Sequence, residues 1–251
     1  MGLPIGAQLY SVREQAESDY TGTLEALAAM GFAGVEFYGR RALKASELKA
    51  CLHGLGMVSI GYHVPMDELR DNLDEVLEYN RSIGSGYIVC PWHTYRGRQD
   101  YIDAAAFFGE VGRKCANAGM RFCYHHHGQE FEPVDGERGL DILFRHAPLE
   151  LVLAELDTQY IRFGGEDPAA YMEAYRGRCP LLHLRDAGGR DGKSAAPMGR
   201  GMLDMADILG KASECGVRWL ISEEVCEPAE AMEAMRKSHD YLAGIQAGSQ
   251  H

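Results

Sequence analysis

The chain has 251 residues, 46% of them hydrophobic and 25% charged, enough for one large α/β barrel or two small domains around a real core. Its formal net charge is −12 and no Lys/Arg run exceeds two residues, so nucleic acid is excluded as an expected partner, because phosphate binding needs a basic surface. No apolar run approaches the roughly 18 residues of a membrane span, and the N-terminal MGLPIGAQLYSV lacks the basic-then-apolar order of a signal peptide.

Taken in chain order, strand-like runs fall at Ile5–Tyr10, Val35–Tyr38, Val58–His63, Tyr87–Pro91, Arg121–His125, Leu151–Leu156, Leu181–Leu184 and Trp219–Glu223. They are short and mostly continuously apolar, as strands covered on both faces should be. Helical periodicity occupies the intervals, at Thr23–Met30, Ala45–Leu55, Asp67–Ile83, Ala104–Ala118, Asp167–Arg176, Met205–Cys215 and Ala229–Ala243. Five helices run into a glycine, at Gly31, Gly56, Gly84, Gly119 and Gly216, the residue that most easily takes the left-handed conformation ending a helix. Ser46-Glu47 and Asp167-Pro168 read as helix starts.

Eight βα units in about 250 residues predict a (β/α)8 TIM barrel. A doubly wound open sheet is the runner-up, but no GxGxxG follows the first strand. No Gly/Ser/Pro-rich linker divides the chain, so 1–251 reads as a single domain, with fraying expected after residue 244. The seven cysteines form neither CxxC pairs nor a disulfide framework, which points to a reducing compartment and makes the cytoplasm the expected location.

In a parallel barrel, functional groups come from the carboxyl ends of the strands and the loops that follow. That rule selects Gln8, Glu36, His63, Trp92, His93, the tract His125–Glu130, Asp157, His183, Arg185 and Glu223. Taken singly, a histidine after a strand is usually a satisfied loop residue, and Glu36 reads as a buried, hydrogen-bonded carboxylate. Consecutive strands that deliver Glu, Asp, His and Glu to one place read differently. Mixed oxygen and nitrogen donors suit Mn²⁺, the preferred ion, or Mg²⁺, Co²⁺ or Fe²⁺, better than a structural zinc site, which would want thiolates; zinc stays open. Alternation along the strand puts His125 and His127 on one face and turns His126 elsewhere.

The fragments GAQLYSVR (6–13), GFAGVEFYG (31–39), IVCPWH (88–93), YHHHGQEFEP (124–133), ELDTQYIRFGGEDP (155–168), LLHLRD (181–186), MGRGMLDM (198–205) and WLISEE (219–224) follow one another strand by strand. In that order they resemble the sugar phosphate isomerase/epimerase family of xylose isomerase-like barrels. The resemblance implies Asp157, His183 and Glu223 as metal ligands from the sixth, seventh and eighth strands, and Glu130 as the fourth, with His125 or His127 as the alternative. A subgroup it resembles carries His-Asn-His followed by Asp, an aromatic residue and Glu-Phe; here His126, Gly128 and Gln129 depart from that pattern, a change placed at the substrate contacts.

The resemblance also implies isomerisation or epimerisation of a small sugar or keto-sugar, by removal of a proton next to a carbonyl with a divalent ion as Lewis acid. Glu130 and Glu223 would touch metal and substrate, one of them as base. His127 and His63 would position hydroxyls or shuttle protons, His125 would face substrate, Arg185 would bind an oxygen and Trp92 would offer a stacking face. No phosphate cradle is evident, so a phosphorylated substrate does not follow. Rival readings are a metal-dependent lyase of the inosose dehydratase or keto-glycoside-cleaving kind, an abasic-site endonuclease, which the acidic charge disfavours, and a non-catalytic sugar-binding subunit. Such barrels can form homo-oligomers, and no feature here fixes the state.

Overall fold

The alternation of short apolar runs with amphipathic stretches produces eight parallel strands, each covered by helices. A computed structural model describes residues 2–39 and 41–248. The strands are β1 (Ile5–Gln8), β2 (Gly34–Tyr38), β3 (Val58–His63), β4 (Tyr87–Cys90), β5 (Arg121–His125), β6 (Val152–Asp157), β7 (Leu181–Leu184) and β8 (Trp219–Ser222). Each pairs with its sequence neighbours, and β8 pairs back onto β1 with Ile5 opposite Leu220, so the sheet closes into a barrel without free edges. The closed eight-strand parallel barrel is the (β/α)8 fold expected from the sequence.

Two-residue periodicity sorts each strand into a lumen face and a helix-covered face. Ile60, Tyr87, Val89, Cys123, Leu153, Leu181 and Ile221 form a separate buried cluster that plugs the lumen. One step further along the same faces of β5 to β8 stand His125, Glu155, His183 and Glu223. The polar site is therefore the continuation of the apolar plug, raised one layer toward the carboxyl ends.

The covering helices are α1 (Arg13–Ser18), α2 (Tyr20–Ala29), α3 (Ala45–Gly54), α4 (Met66–Asp71), α5 (Leu73–Ile83), α6 (Arg98–Asn117), α7 (Gly139–His146), α8 (Thr158–Phe163), α9 (Pro168–Met172), α10 (Met205–Cys215) and α11 (Ala231–Gly248). The five glycines expected at helix ends all have positive φ, from 67° at Gly56 to 102° at Gly31, where an L side chain would be strained. The turn at Asp135-Gly136 also runs through positive φ, 53° and 81°, and closes a two-residue hairpin between Pro133–Val134 and Glu137–Arg138.

Several boundaries differ from the sequence reading. The first strand stops at Gln8, because its Oε1 accepts the Tyr10 backbone N–H at 3.0 Å and starts a 3-10 turn at Leu9–Val12. The single helix expected over 67–83 is two, broken at Asn72, where φ is −133°. Helix α6 starts six residues earlier than its apolar periodicity, and α1, α7 and α8 were not anticipated. Among the described residues beyond 244, where fraying was expected, α11 continues to Gly248, with Leu242 buried, Ile245 packed on the core and Gln246 Nε2 donating to the Leu3 carbonyl at 3.1 Å. Residues 249–251 lie outside the described residues.

Helix α6 packs closely enough that a Cβ on Gly112 would lie 2.2 Å from the Leu151 carbonyl oxygen. The obstacle is backbone, so it cannot swing aside. Gly112→Ala is predicted to destabilise the protein by about 1–3 kcal/mol through overpacking, read as a lower thermal midpoint. An unchanged midpoint would show that α6 can withdraw from β6 at no cost.

Candidate metal centre

The carboxyl end of the barrel opens into a cavity of about 430 Å³. Gln8, His63, His125, His127, Tyr160, Arg185 and Glu223 contribute to its polar lining, and Glu223 is the one carboxylate among the described residues that line it. Of the residues expected at the site, His63, His125, His127, Arg185 and Glu223 face this space. Trp92 is 51% exposed and is not part of the lining.

Beneath the cavity, His125, Asp157, His183 and Glu223 each place one donor atom within 4.8 Å of the others. These come from β5, β6, β7 and the residue after β8, as strand-by-strand delivery requires. In β6 and β7, Asp157 and His183 are directly paired across the ladder. Asp157 also caps α8, its Oδ1 accepting the Tyr160 backbone N–H at 2.9 Å, while Arg185 approaches its Oδ2 at 3.5 Å. Burial pushes the Asp157 carboxyl above the usual range against the pull of Arg185. Burial acts the same way on Glu223, but the hydrogen bond from His183 and the charges of Arg185 and His183 outweigh it and hold that carboxyl well below the usual range.

His183 is gripped at both nitrogens. Its Nδ1 lies 2.9 Å from Glu223 Oε2 and its Nε2 lies 2.7 Å from Glu36 Oε2. A ring that presents one nitrogen to the site and the other to a buried carboxylate has the orientation that metal-ligating histidines use. Glu36 in turn accepts from Gln8 Nε2 at 2.7 Å, which confirms it as a buried, hydrogen-bonded carboxylate. His63 Nε2 stands 3.0 Å from both Glu36 Oε2 and Glu155 Oε2. Burial disfavours its charge, yet those two carboxylates overcome that and raise it to about 9. His125 is pushed the other way, well below its ordinary value, by burial and by His183.

Buried polar atoms without hydrogen-bond partners test whether this donor set fits an ion. Glu36 Oε1, Glu155 Oε1, His125 Nδ1 and His127 Nδ1 are all in that state, and all belong to this cluster or its immediate surroundings. Two imidazoles and two carboxylates, with unsatisfied lone pairs behind them, fit a divalent cation.

Glu130 is not among the converging donors. Its carboxylate accepts from Tyr124 Oη at 2.5 Å, from the His127 backbone N–H at 2.8 Å and from Gln129 Nε2 at 3.1 Å. Tyr124 sits on the helix-facing side of β5, stacked on Phe108 of α6, so Glu130 is drawn outward, away from the lumen. The fifth-strand position in the cluster is held by His125 instead, the alternative that the sequence left open. Gly128 and Gln129 do not line the cavity: a Cβ on Gly128 would meet the Phe163 ring at 2.7 Å, and Gln129 Nε2 donates to the His93 carbonyl at 2.8 Å.

Sequence reading missed Glu155. It sits inside a run that looks like an apolar strand, and it is fully buried. Its signal was the two-residue spacing to Asp157, which puts both side chains on the lumen face.

His126, turned away from its neighbours as alternation predicted, acts as a latch. Its Nε2 accepts the Asp157 backbone N–H at 3.0 Å, and its Nδ1 donates to the His127 carbonyl at 3.3 Å. Burial lowers it to about 3. The folded protein thus keeps it neutral while the unfolded chain takes up a proton near pH 6.5. Its contribution is complete above pH 6.5 and is lost as pH falls toward 3. Between pH 6 and pH 4.5, the unfolding free energy of the wild type should fall by about 1.4 kcal/mol per pH unit more steeply than that of His126→Leu. Equal slopes would show that His126 is protonated in the fold.

The sequence profile of the xylose isomerase-like TIM barrel family matches residues 24–245. The chain is 26% identical over 175 residues to an inosose dehydratase of Clostridium beijerinckii, covering 61% of this chain and 57% of that protein. It is 23% identical over 269 residues to an inosose dehydratase of Clostridium botulinum, covering 90% and 89%. Its structure superposes with a TM-score of 0.84 on a sugar phosphate isomerase/epimerase from Parabacteroides distasonis at 22% identity, covering 98% of this chain and 96% of that one. The closed barrel, its polar carboxyl end and the profile match across most of the chain agree: the protein belongs to the xylose isomerase-like TIM barrel family.

Proposed function

We propose that the chain is a divalent-metal-dependent lyase that eliminates a group β to the carbonyl of a cyclic keto-sugar or keto-cyclitol. The observation that carries this reading is the lining of the cavity: one carboxylate, Glu223, surrounded by His63, His125, His127 and Arg185. The isomerase or epimerase expected from the sequence would use Glu130 and Glu223 as paired carboxylates. With Glu130 bonded to Tyr124, Glu223 is the carboxylate among the described residues that remains in place as a base. An elimination needs one base and an acid for the departing oxygen, and imidazoles supply the second. The likeness to inosose dehydratases supports the same choice.

A metal ion held by His125, Asp157, His183 and Glu223 would supply Lewis-acid stabilisation of the negative charge that develops when the proton next to the carbonyl leaves. The protein's own groups do the rest. Glu223, kept ionised by His183 and Arg185, takes the proton from the carbon next to the carbonyl. The electron pair of that C–H bond becomes the C=C bond as the C–O bond at the β carbon breaks. His63, protonated between Glu36 and Glu155, donates to the leaving oxygen, which departs as water or an alcohol. His127, with its Nδ1 free of hydrogen bonds, and Arg185 hold ring hydroxyls. Tyr10 and Val225 form part of the mouth, giving the ring an apolar wall.

Incubation with Mn²⁺ and a panel of inososes and 3-keto-glycosides in deuterated solvent, read by mass spectrometry and NMR, tests the reading. The expected product is lighter by water or by an aglycone, and Glu223→Gln should lower turnover by about 10²–10⁴-fold. A product of unchanged mass carrying deuterium would establish an isomerase or epimerase instead. Neither exchange nor conversion by the metal-loaded protein would overturn both.

A further inference from the structure

The donor set beneath the cavity is not the only one in the lumen. One layer deeper, His63, His125, Glu155 and His183 also place one donor atom each within 4.8 Å of the others. Glu155 Oε2 is the hub, 3.0 Å from His63 Nε2, 3.1 Å from His125 Nδ1 and 3.4 Å from His183 Nε2. Around a tetrahedral zinc with bonds of about 2.0–2.1 Å, ligand atoms stand about 3.3–3.4 Å apart.

Hydrogen bonding accounts for this spacing only in part: His183 Nε2 is bonded to Glu36 rather than to Glu155. His63 bonds to Glu155, but His125 Nδ1 has no hydrogen-bond partner although Glu155 Oε2 is 3.1 Å away and the residue is 3% exposed. Glu155 Oε1 is likewise buried and unpartnered. Buried donor atoms that stand this close with no hydrogen bond between them are an arrangement that a shared cation would satisfy.

We propose that His63, His125, Glu155 and His183 form a second, inner cation site selective for Zn²⁺. Three imidazoles and one carboxylate match zinc's preference for nitrogen and its four-coordinate geometry, whereas the outer set, with Asp157 and Glu223, is richer in oxygen and suits Mn²⁺. The Glu36 carboxylate beside His63 and His183 adds negative charge next to the inner position. His125 and His183 belong to both sets, so an ion in one site withdraws ligands from the other. Zinc would then also occupy His63, the residue proposed as the acid. The site itself stands whatever reaction the cavity performs.

The test titrates Zn²⁺ and Mn²⁺ separately into the metal-stripped full-length protein by calorimetry, with bound metal counted by plasma mass spectrometry and folding checked by circular dichroism. Glu155→Gln and His63→Asn should each weaken Zn²⁺ by at least about tenfold while moving Mn²⁺ far less, and Asp157→Asn should do the reverse. Zn²⁺ added to the Mn²⁺-loaded wild type should displace it one for one. Should Glu155→Gln fail to fold, His63→Asn carries the same comparison. Parallel losses of both ions in all three variants would mean a single outer site and overturn the proposal. So would zinc binding that ignores both Glu155→Gln and His63→Asn, or one zinc and one manganese bound together.

Discussion

Three carboxylates, Glu36, Glu155 and Asp157, lie at the carboxyl end of the lumen with no solvent exposure, and the rest of the site is arranged around neutralising them. An unpaired buried carboxylate costs several kcal/mol even after relaxation, so each needs cations or hydrogen-bond donors within reach. Glu36 has Gln8, His63 and His183; Glu155 has His63; Asp157 has Arg185 and the amino end of α8. With Glu223 included, four carboxylates face Arg185 and two imidazoles that buried charge has driven toward protonation. A divalent cation in the outer set resolves the same imbalance and leaves His183 neutral, the state in which it can be a ligand, while His63 keeps its proton between Glu36 and Glu155.

The barrel makes this concentration of charge tolerable. Its lumen is plugged by apolar residues below the site, and the closed sheet leaves no open strand edge beside it. The histidine tract illustrates the division of labour. His125 continues the lumen face of β5 into the donor cluster. His126, one residue on, turns outward and fixes the Asp157 backbone. Glu130, at the end of the tract, fastens the loop back onto Tyr124 and the His127 N–H. One short segment thus supplies a candidate donor, a latch and a clasp.

Much of this was legible in the sequence. Alternating apolar runs and glycine-ended helices gave eight βα units, and the strand-end rule located His63, His125, Asp157, His183, Arg185 and Glu223. What escaped was decided by tertiary direction. Glu130 is close in sequence to a strand of the donor cluster, but a buried tyrosine on the opposite face of β5 captures its carboxylate, and no local pattern encodes that partner. Glu155 escaped for the opposite reason: a single charge inside LVLAEL looks like a tolerated interruption until alternation from Asp157 is followed inward. Trp92 was placed by position alone, and it stands half-exposed outside the cavity lining. The short helices α7 and α8 escaped because eight and six residues hold at most about two turns of pattern; α7 is held by burial of Leu140, Leu143 and Phe144, and α8 by packing and the Asp157 cap.

The central claim is that β5 contributes His125, and not Glu130, to a metal site completed by Asp157, His183 and Glu223. A crystal structure of the Mn²⁺-loaded protein, with anomalous data collected at the manganese edge, tests it most directly. The account predicts one peak about 2.0–2.3 Å from donor atoms of His125, Asp157, His183 and Glu223, with Glu130 still bonded to Tyr124. A peak coordinated by Glu130, or no peak at the end of the lumen, would contradict it.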